Sequence, residues 1–545
     1  MQQQHTKAAR RTGSVRLSTT VLALSIAAAN GALAQAPTAA AASGSALQPW
    51  EVVITARNRE EVAQSVPIPI TVVGGDRIAR DRAFTVADLT QRAPGLTATT
   101  PNARRTGVSV RGIGKTSGND NMEAAVGTII DDVFYTHVGM TYQDFTDLER
   151  VELLRGPQGT LLGKNTSMGA VKYTTKAPSF TPESSADLET GFSHDSIKLR
   201  LSHSEGLVDD VLAYRASIFV DQQDGDIRNV NPAQGGRWHE RNRYGGRVKF
   251  LWLPTDALSV TLNLDAANTR ENSNTKPFMV DPTELSDGTP ITNSYSTRLA
   301  RDYFGGYQPI IGSWTEIDLD QAEPLTTENR GFSLVANLDL GGVDLTSITA
   351  ARWLKFDAKN DSEQTRFAIA RSGTLLDTRQ LSQEFRLSGS AGSSFDYQTG
   401  IYLLNNQVDT TGRNVYGKDA GAFYANNTQY TQLRNDLPAL HAALDNIIVA
   451  TNQNPETDSV AVFGQVDWHL SDRLTLTSGL RQTWEKKTND FTRSVSRLDG
   501  QALVSTGNAT ADAIRSSTAG RDIATVEGLA IDDSAVSWLI NPSYS

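Results

Sequence analysis

The chain has 545 residues, 51 basic against 61 acidic, a net charge of −10 and no cysteine. That length exceeds one ordinary soluble domain and asks for several domains or one large all-β body. The charge argues against a nucleic-acid partner, and the missing cysteines exclude a disulfide framework and thiolate metal sites. The seven histidines are scattered with no close pair at ligand spacing, so no bound metal or cofactor is expected.

At the amino terminus Lys7, Arg10, Arg11 and Arg16 precede an apolar segment from about Val21 to Ala29, followed by "ALA" at 32–34. This is the layout of an export signal, and residues 1–34 are assigned to a signal peptide ending before Gln35. The apolar core is shorter than the roughly 20 residues of a spanning helix, and no other run reaches that length. If the exported protein enters a membrane, it does so without helices.

Residues 35–50, "QAPTAAAASGSALQPW", form a small-residue tether that cannot bury a core. "EVVITARNREE" follows, from Glu51 to Glu61. Glu51, Val52, Val53, Ile54, Thr55 and Ala56 combine β-branched character with a flexible approach and a charged exit. Such a segment suits strand pairing to another chain. It suits equally the first strand of the next domain.

To about Pro178 the pattern is that of one compact α/β unit. "PIPITVV" is a short strand, and "TVADLTQRAPG" a helix capped by Thr85 and stopped by Pro94-Gly95. "GVSVRGIG" and "AVGTIIDDVFY" are strands, "DFTDLERVELLRGP" a turn or short helix leading into another, and "GAVKYTTKAP" closes the unit.

Within it, "RGPQGTLLGKNTS" (155–167) raises the question of a phosphate-binding loop. That motif needs two glycines four residues apart in the gap, then Lys and Ser or Thr, at the start of a helix. Gly159 and Gly163 enclose three residues, Asn165 follows Lys164, and the sequence beyond Met168 alternates like a strand. The glycines are read instead as turn positions and close backbone approaches.

Beyond residue 183 the period becomes two. Leu258, Val260, Leu262 and Leu264 share one face of "ALSVTLNLDA", with Ser259, Thr261, Asn263 and Asp265 on the other. "RLTLTSGLRQTW" and "GFSLVANLDL" repeat the pattern. About twelve such segments occur, near the roughly 9–11 residues of a tilted membrane strand. Tight turns ("LPTDA", "LGGVD", "SAGSS", "LSDRL") alternate with long polar stretches at about 270–327, 359–376, 409–457 and 487–533. Trp252, Trp353, Trp468 and Trp484 sit near strand ends, as an interfacial girdle requires. The fold expected is an all-β, antiparallel membrane barrel over 183–545, preceded by an α/β domain. A soluble β-sandwich or propeller is the competing architecture.

The order of export signal, "EVVITA", "VRGIG", "LERVELLRGPQGTLLGKNTSMGAVKYTTKAP" and then barrel hairpins such as "FGQVDWHLSDRLTLTSGLRQTWEKK" resembles the TonB-dependent outer-membrane receptors. The resemblance implies a TonB box at Glu51–Ala56 within a linker at 51–61, a plug domain at 62–178, and residence in the outer membrane lipid of a Gram-negative bacterium. It implies the periplasmic TonB protein as partner, and energised uptake of a ferric siderophore or other scarce small ligand, with no enzymatic chemistry. It also implies a plug–barrel lock, for which Arg111 and Arg155 face Glu384. The substrate apices would be "TTPNARRTG" and "DDVFYTHVGM", with Arg104, Arg105, Tyr135 and His137 as contacts. Barrels of this family close with roughly 22 strands around a plug. About twelve would leave unpaired backbone in lipid, so the chain is expected to be a carboxy-terminally truncated fragment, or else an inactive remnant. A passive porin or adhesin would share the barrel without using the box. A soluble exported enzyme would need a convergent polar site, which the sequence lacks.

Overall fold

The computed structural model describes residues 53–544, apart from positions 56, 60, 65, 116, 117, 121, 142–144, 273, 274, 521 and 522. The signal peptide, the tether, Glu51, Val52 and Ala56 lie outside the described residues. Strand β1 (Val53–Ile54) pairs antiparallel with β2 (Glu61–Val62). Next come β3 (Ile70–Gly74), helix α1 (Gly75–Arg80) and a small antiparallel sheet of β4 (Leu96–Thr99), β5 (Gly107–Val110) and β6 (Ile113–Gly114). Strands β7 (Val126–Ile130), β8 (Val133–Phe134), β9 (Leu148–Arg155) and β10 (Gly169–Thr175) join β3 in a five-stranded sheet. Its order is β3-β9-β10-β7-β8, with β10 and β7 parallel.

The helix expected from Thr85 is only a 3-10 turn at Asp88–Gln91. The Asp88 carboxylate reaches back to accept from the Phe84 and Thr85 amides, both at 2.9 Å. Its side chain thus competes for donors as a turn does, and Thr85 is not the cap. In the "RGPQGTLLGKNTS" stretch Gly163 has φ +85°, and Gly169, with φ +143°, brings its backbone so near Leu154 that a Cβ would sit 2.2 Å from that carbonyl oxygen. A side chain at either glycine would be strained.

The second part begins with β11 (Glu183–Gly191), β12 (Ser196–Val208) and β13 (Leu212–Gln223). After the short strands β14 (Ile227–Asn229) and β15 (Arg237–Trp238) come β16 (Arg241–Thr255) and β17 (Leu258–Glu271). A long loop carries α2 (Tyr295–Leu299) and β18 (Glu316–Ile317) before β19 (Leu325–Asp339), β20 (Val343–Asp361), β21 (Ala370–Ala391) and β22 (Phe395–Tyr416). Helices α3 (Ala420–Tyr424), α4 (Asn427–Leu433) and α5 (Leu437–Leu444) precede β23 (Ile447–Gln453), β24 (Glu456–Ser471) and β25 (Leu474–Arg497). Helix α6 (Ala509–Thr518) and β26 (Ala524–Tyr544) complete the described chain. Thirteen of these strands form one antiparallel sheet from β11 to β26. Within it β23 and β24 lie end to end, each paired with both β22 and β25.

Burial along this sheet is inverted relative to a soluble protein. In β24 Val460, Val462, Val466 and Trp468 are exposed, while Thr457, Ser459, Gln465 and Asp467 are buried. Trp252 and Trp484 are exposed as well. Apolar-out and polar-in alternation is what a lipid-facing strand around a polar interior requires. Among the described residues no helix is long and apolar enough to cross a membrane.

The loop end is not irregular. Residues of α2 to α6 share a core of their own, including Leu299, Phe423, Tyr430, Leu440, Leu444, Ala511 and Ile514. Four side-chain caps fix these helices: Ser294 on α2, a reciprocal Asn426–Gln429 capping box on α4, Asp436 on α5 and Asn508 on α6.

Candidate functional site

The short segment Val53–Thr55 is built into the first domain at the turn end of the sheet. Ile54 is fully buried beside Val66 and Leu154. Glu152, also fully buried, accepts from the Thr55 amide at 3.0 Å and from its hydroxyl at 3.3 Å. Arg150 donates to the Thr55 hydroxyl at 3.3 Å, and the Lys172 ammonium to its carbonyl at 2.8 Å. The next residues are tied to the sheet wall. Arg57 meets Asp467 at 3.2 Å, and Arg59 meets Asp467 at 2.5 Å and Asp396 at 3.8 Å. Asp467 is buried, so two arginines converge on one desolvated carboxylate.

At the opposite end, Asp120 organises the tips of the first domain. Arg104 binds it at 2.7 Å and donates to the Gly118 carbonyl at 3.0 Å. His137 Nδ1 accepts from the Gly139 amide at 3.0 Å, which leaves Nε2–H to donate to Asp120 at 3.5 Å. Burial pushes the Asp120 carboxyl up, but the His137 hydrogen bond and the Arg104 charge outweigh it and hold it below the usual carboxylate range. Burial pushes the His137 imidazole down, against the pull of Asp120. Arg105 is exposed and close enough to Lys276, in the loop carrying α2, to depress that ammonium after burial has done so.

Between these ends the first domain is seated on the inner wall by charge pairs and amides. Arg215 grips Asp147 through two bonds, of 2.6 and 2.7 Å. Lys249 meets Asp131 at 3.0 Å. Gln380 accepts from the amide and hydroxyl of Thr136, both at 2.9 Å, and donates to the Phe134 carbonyl at 2.6 Å.

The sequence-derived residues fare unequally. Val53, Ile54 and Thr55 lie together in the docked strand. Arg104 and His137 converge on Asp120. Tyr135 is a correction: it is buried, and the Arg352 guanidinium lies 4.7 Å over its ring, so it is part of the plug–wall packing rather than a tip contact. The lock is also corrected, since neither Arg111 nor Arg155 meets Glu384. Glu384 pairs with Arg386 two residues along its own strand, at 2.8 Å. Arg155 donates to the Pro94 carbonyl at 3.3 Å, because pairing of β9 with β10 carries its side chain into a cleft beside Pro67, Arg111 and Asn541. Sequence reasoning missed Asp120, Asp131, Asp147 and Asp467. Asp131 and Asp147 both adopt positive φ, which Asp tolerates better than most residues, but nothing in the sequence marks either as an ion-pair partner.

Two family models match the chain: the TonB-dependent Receptor Plug Domain over residues 62–170, and the TonB dependent receptor-like beta-barrel over 280–513. The chain belongs to the TonB-dependent receptors. Among curated proteins, the pesticin receptor of Yersinia pestis is 32% identical over 209 residues, 38% of this chain and 30% of that protein. The ferrichrome outer membrane transporter/phage receptor of Escherichia coli K12 is 28% identical over 202 residues, 36% and 25% respectively. The crystal structure of the ferric yersiniabactin uptake receptor of Yersinia pestis superposes with a TM-score of 0.64 at 19% identity, covering 88% of this chain and 63% of that one. A siderophore receptor of Acinetobacter baumannii gives 0.61 at 12%, covering 89% and 63%. The matched stretch thus spans less than a third of the curated relatives, and the chain spans under two thirds of these structures. The receptor is an outer-membrane protein of Gram-negative type, with a plug seated on a β-barrel wall. In such barrels short turns face the periplasm and long loops the outside. Asp120 and its partners therefore lie toward the exterior, and Thr55 with Arg57 and Arg59 toward the periplasm.

Proposed function

We propose that the receptor imports an anionic iron chelate of the ferric siderophore kind, in an energised cycle driven through Glu51–Ala56. The carrying observation is the state of Thr55: it donates two hydrogen bonds to Glu152 and accepts one each from Arg150 and Lys172, and Arg57 and Arg59 clamp the following residues on Asp467. A passive pore has no use for a terminal segment docked so specifically. A strand that must be handed to TonB has one, because sequestering it until the ligand is bound prevents idle pulling. In this reading ligand binding outside weakens the docking, the freed segment pairs with TonB by strand addition, and force applied there moves the plug. The cations Arg104, Arg105 and Lys276 on the outer face favour a ligand carrying negative charge.

The test is growth of a strain lacking its own iron receptors, given anionic ferric catecholate or ferric citrate as sole iron source, with the neutral ferrichrome as the contrast. At least one of the anionic chelates should support growth through this receptor, and deletion of residues 51–56 should abolish that growth while outer-membrane binding of the same chelate persists. Growth unaffected by the deletion would establish the passive-pore alternative.

A further inference from the structure

We propose that Glu123 is a latch that ties the outer ligand face to the seating of the plug, through an ion-pair ring closed by Lys164, Lys487 and Glu485. Glu123 accepts from Lys164 and from Lys487, both at 2.9 Å. Glu485 pairs with Lys164 and lies 3.8 Å from Lys487. Charges alternate around the ring. Two members belong to the plug, on separate segments: Glu123 just before β7, and Lys164 in the turn between β9 and β10. The other two are alternate residues on one face of β25. A single carboxylate therefore pins two plug segments to one wall strand, and none of the residues expected to lock the plug takes part.

Three features make the ring a latch and not a permanent rivet. All four side chains keep some solvent exposure, between 12% and 33%. Such pairs are stronger than surface pairs yet still screened by salt. Lys115 lines the same cleft and is close enough for both Asp120 and Glu123 to act on its charge, so a released Glu123 has an alternative cation at hand. Finally, Glu123 is three residues from Asp120, the carboxylate held by Arg104 and His137. Three residues span at most about 10 Å of chain. A ligand that draws Arg104 away from Asp120 frees that carboxylate to move, and a shift of a few ångström there withdraws Glu123 from both lysines. That supplies the discrete two-state element that coupling between sites requires.

This inference rests on the receptor reading above, but its test needs neither ligand nor TonB. The chain has no cysteine, so Ser167→Cys gives a single spin-label site, exposed and three residues beyond Lys164. In outer-membrane vesicles at low salt the label should be immobile. Glu123→Gln and Lys487→Gln should each raise the mobile fraction at least threefold, and the double variant should match the single ones. Asp120→Asn should raise it too, with no further rise when combined with Glu123→Gln. On the unsubstituted ring, 1 M sodium chloride should reproduce the effect, a measurement independent of whether any variant folds. An unchanged spectrum in Glu123→Gln and in high salt overturns the latch. Additive effects of Asp120→Asn and Glu123→Gln overturn the link to the ligand face. Either result leaves the growth test on residues 51–56 untouched, so the two readings fail separately.

Discussion

The plug meets the barrel wall in two chemically different ways. On the middle strands of the sheet, β19 to β22, the seat is an apolar core supplemented by neutral bonds from Gln380 and by Arg352 over Tyr135: Val138 and Met140 of the plug share one core with Leu325, Ile348, Leu354, Phe356, Leu376 and Val408 of the wall. On the flanking strands it is ionic, with Asp147 on Arg215 and Asp131 on Lys249 to one side, and the Glu123 ring and the Arg57–Arg59 clamp to the other. Apolar contact is non-directional and loses strength roughly in proportion to the area exposed. Ion pairs that solvent reaches weaken with salt, whereas a buried pair such as Asp147 with Arg215 is costly to break because one charge is left uncompensated. The middle wall and the two flanks are therefore expected to respond differently to salt and to removal of a single partner.

The largest effect that sharpens this contrast is at Asp147. Its removal leaves the buried Arg215 guanidinium with the half-exposed Glu183 and a long bond to the Ala177 carbonyl. Stranding a buried charge costs about 3–5 kcal/mol, so Asp147→Asn should speed amide exchange in β9 and β10 by more than a hundredfold while β20 stays protected. If exchange in β10 is unchanged, the ionic flank carries none of the seating. Next comes Leu354→Ala, at a fully buried position in the apolar seat. Truncation there costs about 2–5 kcal/mol, and the loss should appear at Val138–Met140. High salt should accelerate exchange around the partly exposed Glu123 ring but not around Met140. Equal salt sensitivity at the two places would erase the distinction.

Much of this was legible in the sequence, and the reasons are physical. Period-two alternation is a local property of each strand, and "LPTDA", "LGGVD", "SAGSS" and "LSDRL" all lie at turns between consecutive strands of the sheet. The roof helices were legible too but went unread: Asn426 with Gln429, and Asp436 before Pro438, are start signals hidden in stretches dismissed as polar loop. The pairs that seat the plug were not legible. Asp147 and Arg215 are 68 residues apart, and Arg57 and Asp467 are 410, so nothing local marks either as a partner. The resemblance pointed to Arg111, Arg155 and Glu384, but a one-letter motif does not say where a side chain at the end of β9 will point. Lys164 shows the same limit from the other side. Glycine spacing, Asn165 and the strand-like sequence beyond Met168 removed it from a phosphate loop; only the fold gives it Glu123 and Glu485.

The smallest expected effect probes whether the outer tips behave as an ionic flank or as a rigid mount. Because burial lowers the His137 pKa, the folded tip binds its proton less readily than an exposed imidazole near 6.5. Its contribution to stability is therefore complete above about pH 6.5 and is lost as pH falls toward the depressed folded value. Asp120, held below the usual carboxylate range, adds stability that persists above about pH 4 and disappears only in stronger acid. Of the two tip groups, His137 and Asp120, only the histidine should act between pH 7.5 and 5.5, weakening local protection of Val138–Met140 by at most about 1.4 kcal/mol per pH unit. His137→Gln should flatten that slope and leave the acid loss due to Asp120 in place. A slope that survives in His137→Gln would mean that protonation elsewhere loosens the tips, and the neutral Nε2–H tautomer bridging Gly139 and Asp120 would have to be given up. A flat wild-type profile would instead mark the tip as a mount held by its apolar neighbours Val138 and Met140, shifting the ionic boundary outward to Arg104.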